Sequence, residues 1–468
     1  MFLGSFCELV FLVMKKIALL FLSFIALAIS GFYLADFLIP QLVVFPSSVP
    51  PPHREKPTKT DFSFHYFLPG PEKIREDLLK EAKTFLEVNL ENMTVRFYKE
   101  GILEKEVPIL RKGDPQGWGG TAAGLYQIDL KSKLTYSAIA EVYMPYSLRL
   151  YGKYYLHGEP YYSSGEKLVS DFSGGCVQLS NENAKFIYDL TERKTPVLVI
   201  DKENETFFYS AQKDTSLPDL SAKSYLAADL DSGFVFAEKN PDEILPIASL
   251  TKLMTATIVS EQVDLRKSIS ISNFMLNACG KTKGLESGQK YRVVELFYPL
   301  LIQSSNDAAE VLSYFLGRKR TINLMNEKAK SIMMGKTSFS DPSGFDPGNV
   351  STTKDLFILA RYLVNNRPLI FEITRGQKVR AFGEVRFKDL KNKNFFYNEE
   401  NFIGGKTGYI TASKHNGIFI FRLKRAGNER RVAIIILGEE ALQEGEKNLE
   451  AETKTLLSWL KENYFPES

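Results

Sequence analysis

Cysteine and histidine are scarce in this chain: three cysteines and four histidines among 468 residues. Charge of one sign is lacking too, since 59 basic residues stand against 56 acidic ones for a net +3. The basic residues are dispersed, so there is no electrostatic footprint for nucleic acid. The two residues best suited to ligate a metal, Cys176 and His157, have no further ligands at useful spacing, and neither a metal nor another cofactor is indicated. No internal repeat is visible. These absences remove several classes and make each remaining cysteine worth a question.

The chain is too long for one core, and at roughly 100–200 residues per domain it should form two or three. Lys15 and Lys16 precede an apolar run from Ile17 to Ala35. As a helix rising about 1.5 Å per residue, that run spans roughly 28 Å, enough to cross a bilayer. The charge order places the N-terminus in the cytoplasm and the bulk of the chain outside. Ala26-Leu27-Ala28 resembles a processing site, so a cleaved signal is the competing reading, but apolar residues continue beyond it and favour a retained anchor. Met14 reads as a second possible start. Export bears on the cysteines, because Cys7 falls in or before the membrane segment and leaves Cys176 and Cys279 in an oxidising environment. Either the two pair, although far apart in sequence, or Cys176 is a free thiol and Cys279 a spectator.

The hydrophobic pattern divides the rest. Residues 1–40 form the cytoplasmic tip and anchor or signal, and 41–71 a proline-rich spacer. Glu72 to Leu90 reads as a helix, with Ile74, Leu78, Ala82 and Phe85 at helical spacing. From Met93 the period becomes two, with strands expected in "TVRFY", "ILEKEVPIL", "YSAIAEVYM", "YSLRLYGKYYL" and "TPVLVI" and one short helix after Ser180. Residues 72–202 are therefore a mainly β domain with a leading helix, and 203–221 a linker. Residues 222–468 open with a hairpin around Asp231-Ser232-Gly233, continue as helices from about 250 to 365, and return to strands in "NGIFIFRL" and "RRVAIIILG" before a last helix from about 440 to 463. Strands at both ends imply one α/β domain whose sheet joins its termini.

In "PIASLTKLMTATI", Ser249 and Lys252 stand three apart at a helix start, so their side chains share a face about 5–6 Å apart. A partly desolvated lysine can take the hydroxyl proton, and the helix N-terminus offers N–H groups to an oxyanion. Ser304-Ser305-Asn306 follow in "QSSNDAAE", and Lys406-Thr407-Gly408 in "GGKTGYI". The order of these three motifs, with "SDPSGFDPGNVSTTKD" between them, closely resembles the D-alanyl-D-alanine carboxypeptidases of the low-molecular-weight penicillin-binding proteins. The resemblance runs from about 222 to 440 and implies the serine β-lactamase/penicillin-binding-protein fold, an antiparallel sheet flanked by helices. It implies that Ser249 is acylated, that Lys252 is the general base and that Ser304 assists proton transfer. Asn306 would position the substrate, Lys406, Thr407 and Gly408 would hold its carboxylate, and the backbone of Ser249 and Tyr409 would form the oxyanion hole. β-Lactams are then inhibitors. No base for fast deacylation can be picked out, which argues against a β-lactamase. Pro299 should kink a helix, and "CGKTKGLESGQ" reads as a surface loop.

His157 ends an expected strand nineteen residues before Cys176, which lies on a glycine turn in "SGGCVQ". A thiol and an imidazole that meet across a sheet make a nucleophile and its base. The pattern His157-Gly158 and Ser173-Gly174-Gly175-Cys176-Val177 resembles the L,D-transpeptidase catalytic domain over about 91–202. The resemblance implies that Cys176 attacks, that His157 is its base, and that Ser173 and Gly175 shape the site. Gly174 and Gln178 stand where that family often has histidine and arginine, so a degenerate wall-binding module is the alternative. Both resemblances imply peptidoglycan stem peptides as substrates and an envelope enzyme, membrane-anchored or secreted, that crops a stem at one site and crosslinks it at the other.

Overall fold

The computed structural model describes residues 66–210, 216–276, 284–379, 386–387, 390–425, 427–440 and 447–466. The expected membrane segment, Cys7 and Cys279 lie outside them. No described helix is long and apolar enough to cross a membrane.

The leading helix is shorter than its periodicity suggested. Helix α1 (Glu72–Lys80) closes at Ala82, whose φ is +50°, and Lys83 N–H returns to Leu78 O. Phe85, expected on the helix, instead opens strand β1 (Phe85–Asn89), all five residues of which are buried. Helical spacing and a doubly buried strand are indistinguishable over so short a run. Pairing decides: β1 lies antiparallel to β2 (Thr94–Lys99) and parallel to β9 (Pro196–Ile200), which the local pattern cannot anticipate. With β3 (Ile102–Pro108) and β4 (Gly124–Gln127) the order is β3-β2-β1-β9-β4. A second sheet runs β5 (Leu130–Ser137), β6 (Val142–Tyr151), β7 (Tyr154–His157) and β8 (Val177–Gln178). "YSAIAEVYM" is thus a strand end, a turn with Glu141 at φ +57°, and a strand start. Helix α2 (Asn181–Leu190) follows Ser180, whose hydroxyl accepts from Asn183 N–H as an N-cap.

The second domain's sheet has the order β11 (Val235–Lys239), β10 (Ser224–Asp229), β18 (Asn428–Glu439), β17 (Lys414–Arg425), β16 (Phe402–Ile410), antiparallel throughout. As the strand pattern implied, it joins the two ends of the domain. Short ladders pair β12 (Leu245–Pro246) with β15 (Val350–Ser351) and β13 (Ser268–Ser270) with β14 (Lys290–Arg292). One side carries α3 (Thr251–Gln262), α4 (Val293–Leu301), α5 (Asn306–Leu316), α6 (Arg318–Ser331), α7 (Thr353–Asn366) and α8 (Pro368–Thr374), and the final helix α9 (Lys447–Tyr464) packs on β17 and β18. Pro299 lies inside α4, and the described part of "CGKTKGLESGQ" is largely exposed.

Residues 64–468 form one compact unit. Trp118 and Ala123 of the β domain join the hydrophobic core of the second domain, Trp118 meeting the Phe297 ring edge-on at 5.3 Å. Beside them sits a buried ionic cluster. Glu261, near the end of α3, pairs with Lys328 at 3.3 Å and Arg367 at 3.2 Å, and all three side chains are fully buried. Both cations reach into the first domain: Lys328 donates to Tyr126 Oη and Ala123 O, and Arg367 to Tyr154 Oη and Gly120 O. The segment after β9 is not a slack tether either. Tyr209 is buried in the second domain and Glu205 is paired with Arg430 at 2.6 Å.

Two candidate active sites

Ser249 lies in a single 3-10 turn, Ala248–Leu250, that leads straight into α3. The turn is strained: Ala248 has φ +48°, a left-handed conformation that costs an L-residue about 1–2 kcal/mol. It persists because the chain around it is close-packed. A Cβ at Gly344 would stand 1.8 Å from Ala248 O, and one at Gly408 would stand 2.8 Å from Ser249 N. Strand β16 therefore runs directly against the nucleophile's backbone. Residues Thr251 to Glu261 of α3 are all buried, and Lys252 is carried inside with them.

The Lys252 ammonium has three protons and three acceptors: Ser249 Oγ at 2.8 Å, Asn306 Oδ1 at 2.7 Å and Ser343 O at 2.6 Å. Burial lowers its pKa to about 7, with Lys393 adding repulsion against the opposing field of Asp341. Near neutral pH a large fraction of the amine is therefore uncharged, and its lone pair can receive the Ser249 hydroxyl proton. Asn306 is placed by the start of α5, where Ser305 Oγ accepts from Ala308 N–H. Ser304 precedes it at φ +59°, half-buried. On β16, Lys406 is buried with Nζ donating to Thr407 O, Thr407 is half-buried, Gly408 abuts Ser249, and Tyr409 is exposed with its ring 4.6 Å from that of His415. The structure thus brings together all three motifs.

Cys176 and His157 also converge. Strands β7 and β8 are parallel with His157 opposite Gln178, and both Cys176 and His157 line a cavity of about 610 Å³. The Cys176 thiol is free. His157 Nδ1 lies 2.6 Å from Gly158 O, so Nδ1–H donates there and Nε2 keeps its lone pair. Burial lowers the His157 pKa to about 4, partly offset by that hydrogen bond. Burial also raises the Cys176 pKa to about 11, partly offset by a backbone contact at Tyr155 and by Lys153. The thiol donates to Lys153 O at 3.8 Å. At rest the pair is accordingly a neutral thiol and a neutral imidazole, not an ion pair.

Ser173 Oγ ties the turn together, donating to Cys176 O and accepting from Gly175 N–H. The two glycines differ. At Gly175, φ is +114° and a Cβ would stand 2.4 Å from the Tyr154 ring; at Gly174 a Cβ would meet nothing within 4 Å. The cavity wall opposite the turn comes from the other domain, through Ser260, Asp264, Leu265 and Arg266. Lys153 fastens this wall by donating to Ser260 O and Val263 O, each at 3.1 Å. Helix α3 therefore has Ser249 just before its first turn and the cysteine cavity at its last, about 18 Å away at 1.5 Å per residue.

Several residues of these sites carried no assigned role in the sequence. Ser343 gives its carbonyl to Lys252, and Asp341 pins that loop by accepting from the N–H groups of Ser343, Gly344 and Asp346. The turn-forming run Asp341-Pro342-Ser343-Gly344 was the available signal. Arg111 and Lys153, both in strand-rich segments, gave none. A larger cleft between the domains, about 810 Å³, holds no nucleophile, and its Arg430, Arg431 and Lys202 are paired with Glu205 and Asp231.

Comparison with known proteins finds a family match over each domain. Residues 211–441 match the D-alanyl-D-alanine carboxypeptidase family and residues 83–199 the L,D-transpeptidase catalytic domain. The carboxypeptidase DacB2 of Mycobacterium tuberculosis is 30% identical over 254 residues, covering 52% of this chain and 83% of that protein. A D-alanyl-D-alanine endopeptidase of Haemophilus influenzae is 34% identical over 206 residues, 42% of this chain and 70% of that one. The carboxypeptidase DacC of Escherichia coli is 28% identical over 268 residues, 54% of this chain and 64% of that protein. The chain belongs to the D-alanyl-D-alanine carboxypeptidase family and carries, ahead of that domain, an L,D-transpeptidase catalytic domain.

Proposed function

We propose that this protein is a peptidoglycan enzyme with two acyl-transfer sites. At the first, neutral Lys252 takes the proton from Ser249 Oγ as the oxygen attacks the carbonyl of the penultimate D-Ala of a pentapeptide stem. The N–H groups of Ser249 and Tyr409 bind the oxyanion, Asn306 and Ser304 orient the peptide and relay protons, and Lys406 with Thr407 and Gly408 holds the terminal carboxylate. The proton passes to the departing D-Ala amine, and water later cleaves the ester to leave a tetrapeptide. Penicillins acylate Ser249 by the same route. The observation that carries this reading is the buried Lys252 amine, 2.8 Å from Ser249 Oγ with a pKa near neutrality.

At the second site Cys176 attacks the diamino acid carbonyl of that tetrapeptide while His157 Nε2 takes the thiol proton and returns it to the departing D-Ala. An amine from a neighbouring stem then resolves the thioester into a crosslink. The substrates are envelope polymers, and residues 17–35 serve to hold the catalytic unit at the membrane. A second reading, in which the first domain only binds the wall, is favoured by the protonated thiol and its bond to Lys153 O.

Pentapeptide muropeptides incubated with the purified protein and analysed by mass decide between them. Ser249→Ala should abolish loss of the first D-Ala, by about 10⁵-fold or more given what removing such a nucleophile costs elsewhere. Cys176→Ala should abolish crosslinks and leave that step intact; if it changes no product, the first domain is a binding module. Crosslinked dimers as substrate separate an endopeptidase from a carboxypeptidase, and a chromogenic cephalosporin that is not turned over rules out a β-lactamase.

A further inference from the structure

The cysteine cavity holds three cations, and two are already committed. Arg266 is paired with Asp264, and Lys153 is spent on two carbonyls of α3. The third is Arg111. Its Nη1 donates to Leu168 O at 3.2 Å and Gln178 Oε1 at 3.3 Å, both neutral acceptors, and among the described residues no carboxylate lies within ion-pair distance of it. It is half-buried, so its charge is not simply surrendered to bulk water.

Its position is fixed from two sides. Leu110 N–H donates to Gln178 O and Gln178 N–H to Arg111 O, at 2.8 and 2.9 Å, which locks Arg111 in register beside the strand that follows Cys176. Gln178 is itself 4% exposed, so its amide presents Oε1 to the guanidinium rather than to solvent. One residue, Val177, lies between Cys176 and Gln178, so their Cα atoms are at most about 7 Å apart. A planar guanidinium with unused N–H donors, lining the same cavity as a thiol and hydrogen-bonded to the residue two positions after it, is suited to one ligand chemistry above others: a carboxylate taken through two parallel hydrogen bonds.

We infer that Arg111 binds the free terminal carboxylate of the acyl donor at the Cys176 site, so that this site accepts stems ending in a free D-amino acid and rejects those whose terminus is blocked. This rests on the proposal that Cys176 is the L,D acyl-transfer nucleophile. In that reaction the departing D-amino acid carries its carboxylate on the carbon next to the scissile nitrogen, so the carboxylate enters the same cavity that Arg111 lines.

The test compares a stem tetrapeptide with its C-terminal amide, which keeps the scissile bond and removes only the charge. Binding is measured by calorimetry on full-length Cys176→Ala protein, with and without Arg111→Gln, so that the Ser249 site contributes equally to both and cancels. Thioester formation is followed by mass on protein with Cys176 intact. The free acid should be preferred by about 10- to 100-fold, the range expected for a charge-assisted hydrogen-bonded pair, and Arg111→Gln should remove the preference while leaving D-Ala release at Ser249 unchanged. Equal handling of acid and amide by protein with native Arg111 overturns the inference whatever the variant does. An equal loss for acid and amide in Arg111→Gln also overturns it, since that is what a merely structural role would give. A binding preference without any thioester upholds Arg111 as the carboxylate site and refutes the transpeptidase reading instead.

Discussion

At Ser249 the Lys252 amine stands 2.8 Å from the hydroxyl with no substrate present, its pKa lowered to about 7. At Cys176 the thiol donates to Lys153 O, and His157, with its pKa lowered to about 4, turns Nδ1 toward Gly158. The same physical cause operates in both, because burial disfavours the charged form of whichever group is buried. Applied to a lysine it makes a base. Applied to a cysteine and a histidine together it makes two neutral groups, so any thiolate–imidazolium pair here has to form in response to something that enters the cavity. The serine site is thus pre-formed and the cysteine site conditional.

The largest way to break that contrast is to remove what binds the two sites into one body. Glu261→Ala leaves Lys328 and Arg367 buried without their anion, which should cost about 3–5 kcal/mol of stability. Thermal unfolding should fall in a single transition with both activities lost together, and separate transitions would mean that the domains are independent. Smaller in effect is the pH response. Carboxypeptidase kcat/KM should fall about tenfold per pH unit below about 7, because Lys252 must be neutral to act, and level off above it. Alkylation of Cys176, followed by peptide mapping, should instead climb with pH towards about 11, and a plateau at pH 6–7 would reveal a thiolate–imidazolium pair. The smallest test concerns the turn itself. Gly175→Ala should cost about 1–3 kcal/mol through its left-handed φ and the Tyr154 ring, whereas Gly174→Ala should stay within about 0.5 kcal/mol.

The serine motifs were legible because each is local: Ser249 and Lys252 lie across the junction of a 3-10 turn and a helix, Asn306 begins a helix, and Lys406 to Gly408 lie within one strand. Gly174 and Gln178 could not be judged so, since their meaning depends on neighbours far away in sequence. Gly174 faces open space, and the charge absent at Gln178 is supplied beside it by Arg111, 67 residues upstream.

Sequence alone determined the two families and the order of their domains, and it placed Ser249 and Lys252 together through short-range spacing that covalent geometry turns directly into a shared face. Pairing decided that Phe85 belongs to a strand and not a helix, because a five-residue stretch acquires its conformation from the strands on either side. Tertiary structure alone made the far end of the Ser249 helix a wall of the Cys176 cavity, an arrangement set by buried charges and aromatic rings drawn from both domains.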